Sequence, residues 1–225
     1  MNTLAVSWLQ VRAIVAKDVR SELRARHIWL GMGFFALLVL VVFNFAFDLR
    51  VENTLAVAPG ALWVAFVFAS VLGLGRTVAA EMERGRMERL LLCPVDRQVL
   101  FAAKLAGNLL FMGAVELVAI PVFAVLYNVP VLVAGILPVV VLGTLGIAIL
   151  GTLLSAVAAT TRAREILLPL LAFPLLVPVV IASVKATQAV VSPVAHDAPW
   201  LGLLAAFDVL FLSVSALTFQ YVVED

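Results

Sequence analysis

The sequence predicts an all-α membrane protein in which six transmembrane helices follow an amphipathic interfacial helix. Of its 225 residues, 64% are hydrophobic and 13% are charged, whereas an average soluble domain is about 45–50% apolar and about 25% charged. The charged residues are separated by uncharged runs long enough to cross a bilayer, which takes about 20 residues. This pattern excludes a soluble enzyme, a nucleic-acid-binding domain and a disordered chain.

The first element, residues 1–27, is predicted to lie as a helix on the membrane surface. At about 100° per residue, one face is apolar and the basic groups lie opposite. Asp18 and Glu22 fall on the apolar side, so we expect both to have partners, and Arg26 is the local candidate for Glu22. The helix either anchors the chain or acts as an elbow that transmits motion into the first two spans. The apolar face comprises Leu4, Trp8, Val11, Ile14, Val15 and Val19, and the opposite face Lys17, Arg20 and Arg24.

The six spans follow from the uncharged runs. Residues 117–161 carry no charge, and this run would form about 67 Å of helix at about 1.5 Å per residue, twice the roughly 30 Å of hydrocarbon. It must therefore contain a turn, for which the sequence Tyr-Asn-Val-Pro at 127–130 is suited. The predicted spans are about 28–47, 61–79, 105–126, 132–158, 166–184 and 200–222.

The distribution of Lys and Arg predicts the orientation of these spans. An even number of spans puts both termini on one side, and that side carries all the basic residues except Arg50 and Lys185. Cytoplasmic loops are the ones enriched in basic residues. The sequence therefore predicts a multi-pass protein with both termini in the cytoplasm.

Two acidic residues lie inside predicted spans. A charged acid at mid-membrane costs about 2.5–3.5 kcal/mol on insertion scales, so Glu116 and Asp208 are expected to face the bundle interior or water, or to be neutral. Each is either a protonated acid bonded to a neighbouring helix or a pathway or partner-interface residue. If they are functional, Glu116→Gln or Asp208→Asn lowers the activity of the complex, and full activity in both contradicts that role.

The fourth and fifth spans carry residues that shape helix packing. Three prolines, Pro169, Pro174 and Pro178, each remove a helical hydrogen bond, so the fifth span is predicted to be kinked or partly broken. It is either a bent packing helix or a hinge for alternating access. Small residues recur at multiples of four along the fourth span and predict close packing within the chain. They are Gly143, Gly151, Ser155 and Ala159.

The predicted cytoplasmic loop 81–98 is the most unusual segment of the chain. A dense mixed-charge stretch runs into three leucines at 90–92 and ends at Pro94, which a helix interior rejects. The loop is either a solvated connection or a docking helix for a cytoplasmic partner. The sequence contains no GxxxxGK[ST] phosphate-binding loop, so it predicts no ATP-binding site of its own.

This loop resembles the cytoplasmic loop of ABC-2-type ABC transporter permeases. The segment 58–65, Ala-Pro-Gly-Ala-Leu-Trp-Val-Ala, and the proline-rich run at 168–178 narrow the resemblance to the heme exporter protein B (CcmB) family of the cytochrome c maturation system. The likeness covers essentially the whole chain and implies an ABC-2-type permease bundle in the bacterial inner membrane. The loop residues that carry it are Glu81, Gly85, Glu88, Leu90, Leu91, Leu92, Pro94 and Lys104.

The resemblance implies a permease subunit for heme export or heme delivery, not an enzyme. Glu81, Gly85, Glu88 and Pro94 would couple the spans to a separate cytoplasmic ABC ATPase subunit, which binds the ATP. Heme would be a substrate, with no cofactor held by this chain. Further implied partners are a Trp-rich heme-handling membrane protein, a periplasmic heme chaperone and the lipid membrane, but no nucleic acid. Six spans are few for a complete pathway, so a second copy or a homologous permease is expected.

Several alternatives stay open. The first alternative to a heme permease is an ABC-2-type permease for a drug, lipid or polysaccharide. The second is a gradient-driven carrier with Glu116 and Asp208 as a proton relay, and the third is a structural subunit of an assembly complex. His196, in an outer loop, is a candidate heme ligand, but His27 lies on the opposite predicted side and cannot complete a pair with it. No other metal site is predicted, because the single cysteine excludes a cysteine-rich one.

Overall fold

The computed structural model of the chain describes residues 3–24, 26–48, 54–83, 96–129, 135–159, 164–191 and 199–224. Within these ranges the backbone forms seven α-helices and no β-strand, so the all-helical prediction is confirmed. The helices are α1 (Thr3–Arg24), α2 (Arg26–Asp48), α3 (Thr54–Glu83), α4 (Arg97–Tyr127), α5 (Ile136–Ala159), α6 (Arg164–Val191) and α7 (Trp200–Glu224).

Five of these helices, α3 to α7, are long and apolar enough to cross a membrane. Helix α2, which corresponds to the first predicted span, contributes a shorter apolar stretch, Leu30–Ala46, among the described residues. The membrane class is therefore supported, and the count of six spans stays a prediction. Helices α4 and α6 also extend beyond the predicted spans, because α4 already begins at Arg97 and α6 runs on to Val191.

Helix α4 has well-defined ends. Asp96 caps its amino terminus, since its side chain accepts a hydrogen bond from the Gln98 amide at 3.0 Å. At the other end Asn128 adopts a left-handed conformation, with φ 52° and ψ 42°, and its amide bonds the carbonyl of Ala124. Asparagine tolerates this conformation better than most residues. The turn predicted at 127–130 is thus confirmed at Asn128, where the helix ends, and Pro130 lies outside the described residues.

Helix α5 is the centre of the bundle and packs against α3, α4, α6 and α7. Its glycines allow close approach. A Cβ atom on Gly143 would overlap the Trp63 ring, and one on Gly151 would overlap Leu74, both on α3. The small-residue face predicted on this helix is therefore a packing face within the chain, as expected.

The amino-terminal helix α1 packs mainly against α4 and only slightly against α2, the helix that follows it in sequence. Its apolar face buries Ile14 and packs Val11 and Val15 against the core. Trp8, predicted on the same face, is exposed, as is Leu9. The amphipathic helix α1 thus packs against the bundle through the residues in the middle of its apolar face.

Helix α6 is continuous through its three prolines. The partly broken form of this helix is therefore not observed, and the proposed hinge remains untested. Pro174 is exposed, whereas Pro169 and Pro178 are half-buried.

The outer faces of α2, α4 and α7 are apolar, as lipid requires. Large exposed side chains on these faces include Leu30, Phe34, Phe45, Leu110, Leu117, Val125, Val209, Leu210 and Leu217.

Candidate functional site

A set of polar side chains meets in the bundle interior, around one turn of α5 between Gly143 and Gly146. We call this set the polar layer. It is contributed by all four neighbours of α5, so the central helix brings together residues far apart in sequence. Its members are Trp63 on α3, Glu116 on α4, Thr144 on α5, Ser183 and Thr187 on α6, and Asp208 on α7.

Glu116 faces the bundle interior and is 6% exposed. The Thr144 hydroxyl donates a hydrogen bond of 2.5 Å to its Oε1 atom. This contact places Glu116 between α4 and α5, away from lipid, as the position of an acid inside a span predicted. It also matches the prediction of a hydrogen bond to a neighbouring helix.

Trp63 and Thr187 form a second polar contact in the layer. The Trp63 indole nitrogen donates to the Thr187 hydroxyl at 2.9 Å, and that hydroxyl donates to the Ser183 carbonyl at 2.8 Å. Both side chains are almost completely buried. The bond needs the close approach allowed at Gly143, where a Cβ atom would overlap the Trp63 ring and lie 2.6 Å from Ser183 Oγ.

Asp208 is the second buried acid, and it differs from Glu116. It is 4% exposed, and neither of its carboxyl oxygens has a hydrogen-bond partner among the described residues. Its Oδ1 atom lies against the bare backbone of α5, since a Cβ atom on Gly146 would be 2.7 Å away. Asp208 thus shares the depth of Glu116 but has none of its hydrogen bonding.

Polar contacts continue along α4 toward its amino terminus. Asn108 donates to Thr152 of α5 at 2.8 Å, two turns from the Glu116–Thr144 contact. Nearer the end of the helix, Lys104 Nζ lies 3.1 Å from Asp18 Oδ2 of α1, and both side chains are 13% exposed. Asp18 thus has the partner that its apolar-side position required, although the sequence did not identify Lys104 as that partner.

Several predicted site residues lie outside the described part of the chain. Gly85, Glu88, Pro94 and His196 belong to this group, and Glu81 is described only as a backbone position in α3. Their predicted roles stay predictions. Among the described residues, no group of three or more His, Cys, Asp or Glu side chains could hold a metal ion.

Sequence reasoning found the two acids but not their surroundings. Thr144, Trp63 and Thr187 carry ordinary side chains for a membrane helix, and only the packing of α5 against its neighbours brings them together. Gly146 lies three residues after Gly143, outside the four-residue spacing that drew attention to its helix. A search for both three- and four-residue spacings of glycine could have found it.

The arrangement defines a class of protein: a helical membrane bundle whose lipid-facing surface is apolar and whose middle contains buried acids and hydroxyls. Intramembrane acids that face the bundle interior are typical of transport proteins and of their coupling machinery. The chain belongs to the CcmB protein family, whose model matches residues 9–224.

Individual relatives agree with this assignment. The chain is 30% identical over 204 residues to Heme exporter protein B of Bradyrhizobium diazoefficiens, covering 90% of this chain and 91% of the relative. It is 31% identical over 199 residues to the protein of that name from Rhodobacter capsulatus, covering 87% and 89%. The Pseudomonas aeruginosa protein of that name is 31% identical over 176 residues, covering 77% and 78%.

Proposed function

We propose that this chain is the membrane permease subunit of an ABC-type system for heme export or heme delivery in cytochrome c maturation. The observation that carries the proposal is the likeness to relatives named Heme exporter protein B, which extends over as much as 90% of the chain. The sequence contains no phosphate-binding loop, which fits a subunit driven by a separate ATPase. Heme is the proposed substrate.

Coupling to the ATPase is proposed to occur through the segment between α3 and α4. Glu81, Gly85, Glu88 and Pro94 would form the contact with the partner. Helix α3 continues to Glu83 and α4 begins at the Asp96 cap, so this segment joins two helices that both reach the polar layer. A displacement of the segment would therefore act on Trp63 through α3 and on Glu116 through α4.

The remaining partners are proposed on the family resemblance. They are a Trp-rich heme-handling membrane protein, a periplasmic heme chaperone, and a second permease copy or a homologous permease. We place the chain in the bacterial inner membrane with both termini in the cytoplasm, where the basic residues concentrate. In this arrangement α2 is the first of six spans.

The proposal is tested by purifying the chain from its native membrane in a mild detergent and identifying by mass spectrometry the proteins that travel with it. We expect an ABC ATPase subunit with the wild type and its loss from Glu88→Lys and Pro94→Leu. Glu88→Lys reverses a charge, and Pro94→Leu removes the residue expected to end the loop helix.

Lys185→Glu is the matched control, because it also reverses a charge but lies on the opposite predicted side of the membrane. It should keep the ATPase. A Trp-rich heme-handling protein in the wild-type sample would favour heme over another substrate. If no ATPase accompanies the wild type, even after chemical crosslinking, the permease proposal is wrong.

A further inference from the structure

Three buried side chains in the described part of the chain carry polar atoms without a hydrogen-bond partner. They are Ser183, Asp208 and Ser215, and each is at most 4% exposed. Most buried polar groups in proteins have partners. An unpaired buried carboxylate is far more costly than an unpaired hydroxyl, because the charge loses its hydration. Among these three groups, Asp208 is therefore the one whose protonation state has the largest effect on the free energy of the fold.

The surroundings of Asp208 are tight and apolar. A Cβ atom on Gly146 would lie 2.7 Å from Asp208 Oδ1 and 3.0 Å from a methyl group of Val179. The carboxyl group is thus held between the backbone of α5 and a valine of α6. A methyl group at the Gly146 Cβ position would therefore displace the Asp208 carboxyl group.

Among the described side chains, no charged group compensates Asp208 from the helices that pack on α7. Helix α5 contains no titratable residue. On α4, Glu116 accepts its bond from Thr144, and Lys104 lies beside Asp18. On α6, Lys185 is exposed and lies about 9 Å along the helix from Val179 at about 1.5 Å per residue. Described titratable side chains further from Asp208 are Arg97 and Tyr127 on α4 and Tyr221 on α7.

We propose that Asp208 is a proton-binding site in the middle of the bundle. In the conformation described, its side chain is the neutral carboxylic acid, which needs neither a counter-ion nor hydration of a charge. When α7 separates from α5 and water reaches the carboxyl group, the proton leaves and the carboxylate remains, and closure takes up one proton again.

The same observations favour a proton over a metal ion. The described residues hold no cluster of metal-ligating side chains, and Asp208 Oδ1 packs closely against the α5 backbone at Gly146. Ser183 packs one turn away along α5, beside Gly143, and Ser215 follows Asp208 by two turns on the same face of α7. Both serines are buried in the same interior as Asp208, and neither donates a hydrogen bond to its carboxyl group in the conformation described.

Infrared spectroscopy tests the proposal on the full chain reconstituted in lipid vesicles at neutral pH. We expect the wild-type spectrum minus the Asp208→Asn spectrum to contain the carbonyl band of a protonated carboxylic acid. Carboxylate bands in place of that band would overturn the proposal. The Glu116→Gln variant is the control, because it lacks the other buried acid and its own spectrum should still contain the Asp208 band.

A titration of the Glu116→Gln variant, which lacks the other buried acid of the described side chains, keeps the proposal testable if Asp208→Asn fails to fold. The acid band should persist after the exposed carboxyl groups have ionised, and it should be the same in sodium chloride and in choline chloride. Conversion to carboxylate bands in sodium alone would assign a metal-ion site and overturn the proposal. Both measurements use the isolated chain, so their outcome is independent of whether an ATPase or heme is involved.

Discussion

Thr144 supplies the hydrogen bond that the buried carboxyl group of Glu116 accepts. Its hydroxyl is the donor to the carboxyl oxygen, and a buried acceptor that loses its donor costs about 1–3 kcal/mol. We expect Thr144→Val, which keeps the shape but removes the hydroxyl, to lower the stability of the detergent-solubilised protein by that amount. Thermal unfolding followed by circular dichroism measures the change.

The control for this substitution is Thr218→Val, the same change at an exposed position of α7. It should leave the unfolding midpoint unchanged. Equal midpoints for the two variants would mean that the Thr144 bond adds nothing to stability.

Gly143 leaves the space on α5 that the Trp63 ring of α3 occupies. Alanine there would push against the Trp63 ring and the Ser183 hydroxyl, and such overpacking costs about 1–3 kcal/mol. Gly113→Ala is the matched control, because a Cβ atom there meets nothing within 4 Å. We expect Gly143→Ala to reduce folded yield and melting temperature, and Gly113→Ala to leave both equal or higher, since alanine favours helix. Comparable losses in both variants would contradict this account of Gly143.

Helix α1 packs mainly against α4 and only slightly against α2, its neighbour in sequence. The contact combines the buried Ile14 with the half-buried Asp18–Lys104 ion pair. The amino-terminal helix, predicted to be either an anchor or an elbow, thus packs on the helix that follows the proposed coupling segment. Motion of α4 would carry α1 with it.

Reversing one charge of this pair should release α1. We expect Lys104→Asp to weaken its attachment by about 1–2 kcal/mol, a roughly 5- to 30-fold increase in amide exchange over residues 3–24. The double variant Asp18→Lys with Lys104→Asp should restore protection in hydrogen–deuterium exchange mass spectrometry. Lys17→Ala should have little effect, because Lys17 also lies near Asp18 but is 44% exposed. Exchange that stays high in the double variant would show that the pair is not the attachment.

At the scale of the whole molecule, the sequence predicts where the helices lie in the chain better than it predicts which helices pack against one another. Charge-free runs depend only on local composition, so they locate the long apolar helices and the turn at Asn128. The Lys104–Asp18 pair joins residues 86 positions apart, and periodicity along one helix carries no information about which helix faces it. For the same reason, the sequence did not identify Thr144 as the hydrogen-bond donor to Glu116. The interior position of Glu116 could be predicted, because a charged acid is costly in contact with lipid.

The unequal bonding of α4 and α7 has a mechanical consequence. Polar contacts join α4 to α1 at Lys104 and to α5 at Asn108 and Glu116. At its far end α4 is joined to α2, since the Tyr127 hydroxyl donates to the Leu40 carbonyl and Asn44 donates to the Leu126 carbonyl. Lipid offers no replacement for these hydrogen bonds, so they hold α4 at one position along the helices it contacts.

Helix α7 meets its neighbours differently. Where it is described, its contacts include the Phe219 ring on Phe101 and Asp208 against Gly146, and no hydrogen bond recorded for it reaches another helix. Apolar surfaces can slide over one another without breaking a directional bond. Displacing α7 relative to its neighbours would therefore break no hydrogen bond to another helix among the described residues, whereas displacing α4 would break several and would move the helices bonded to it.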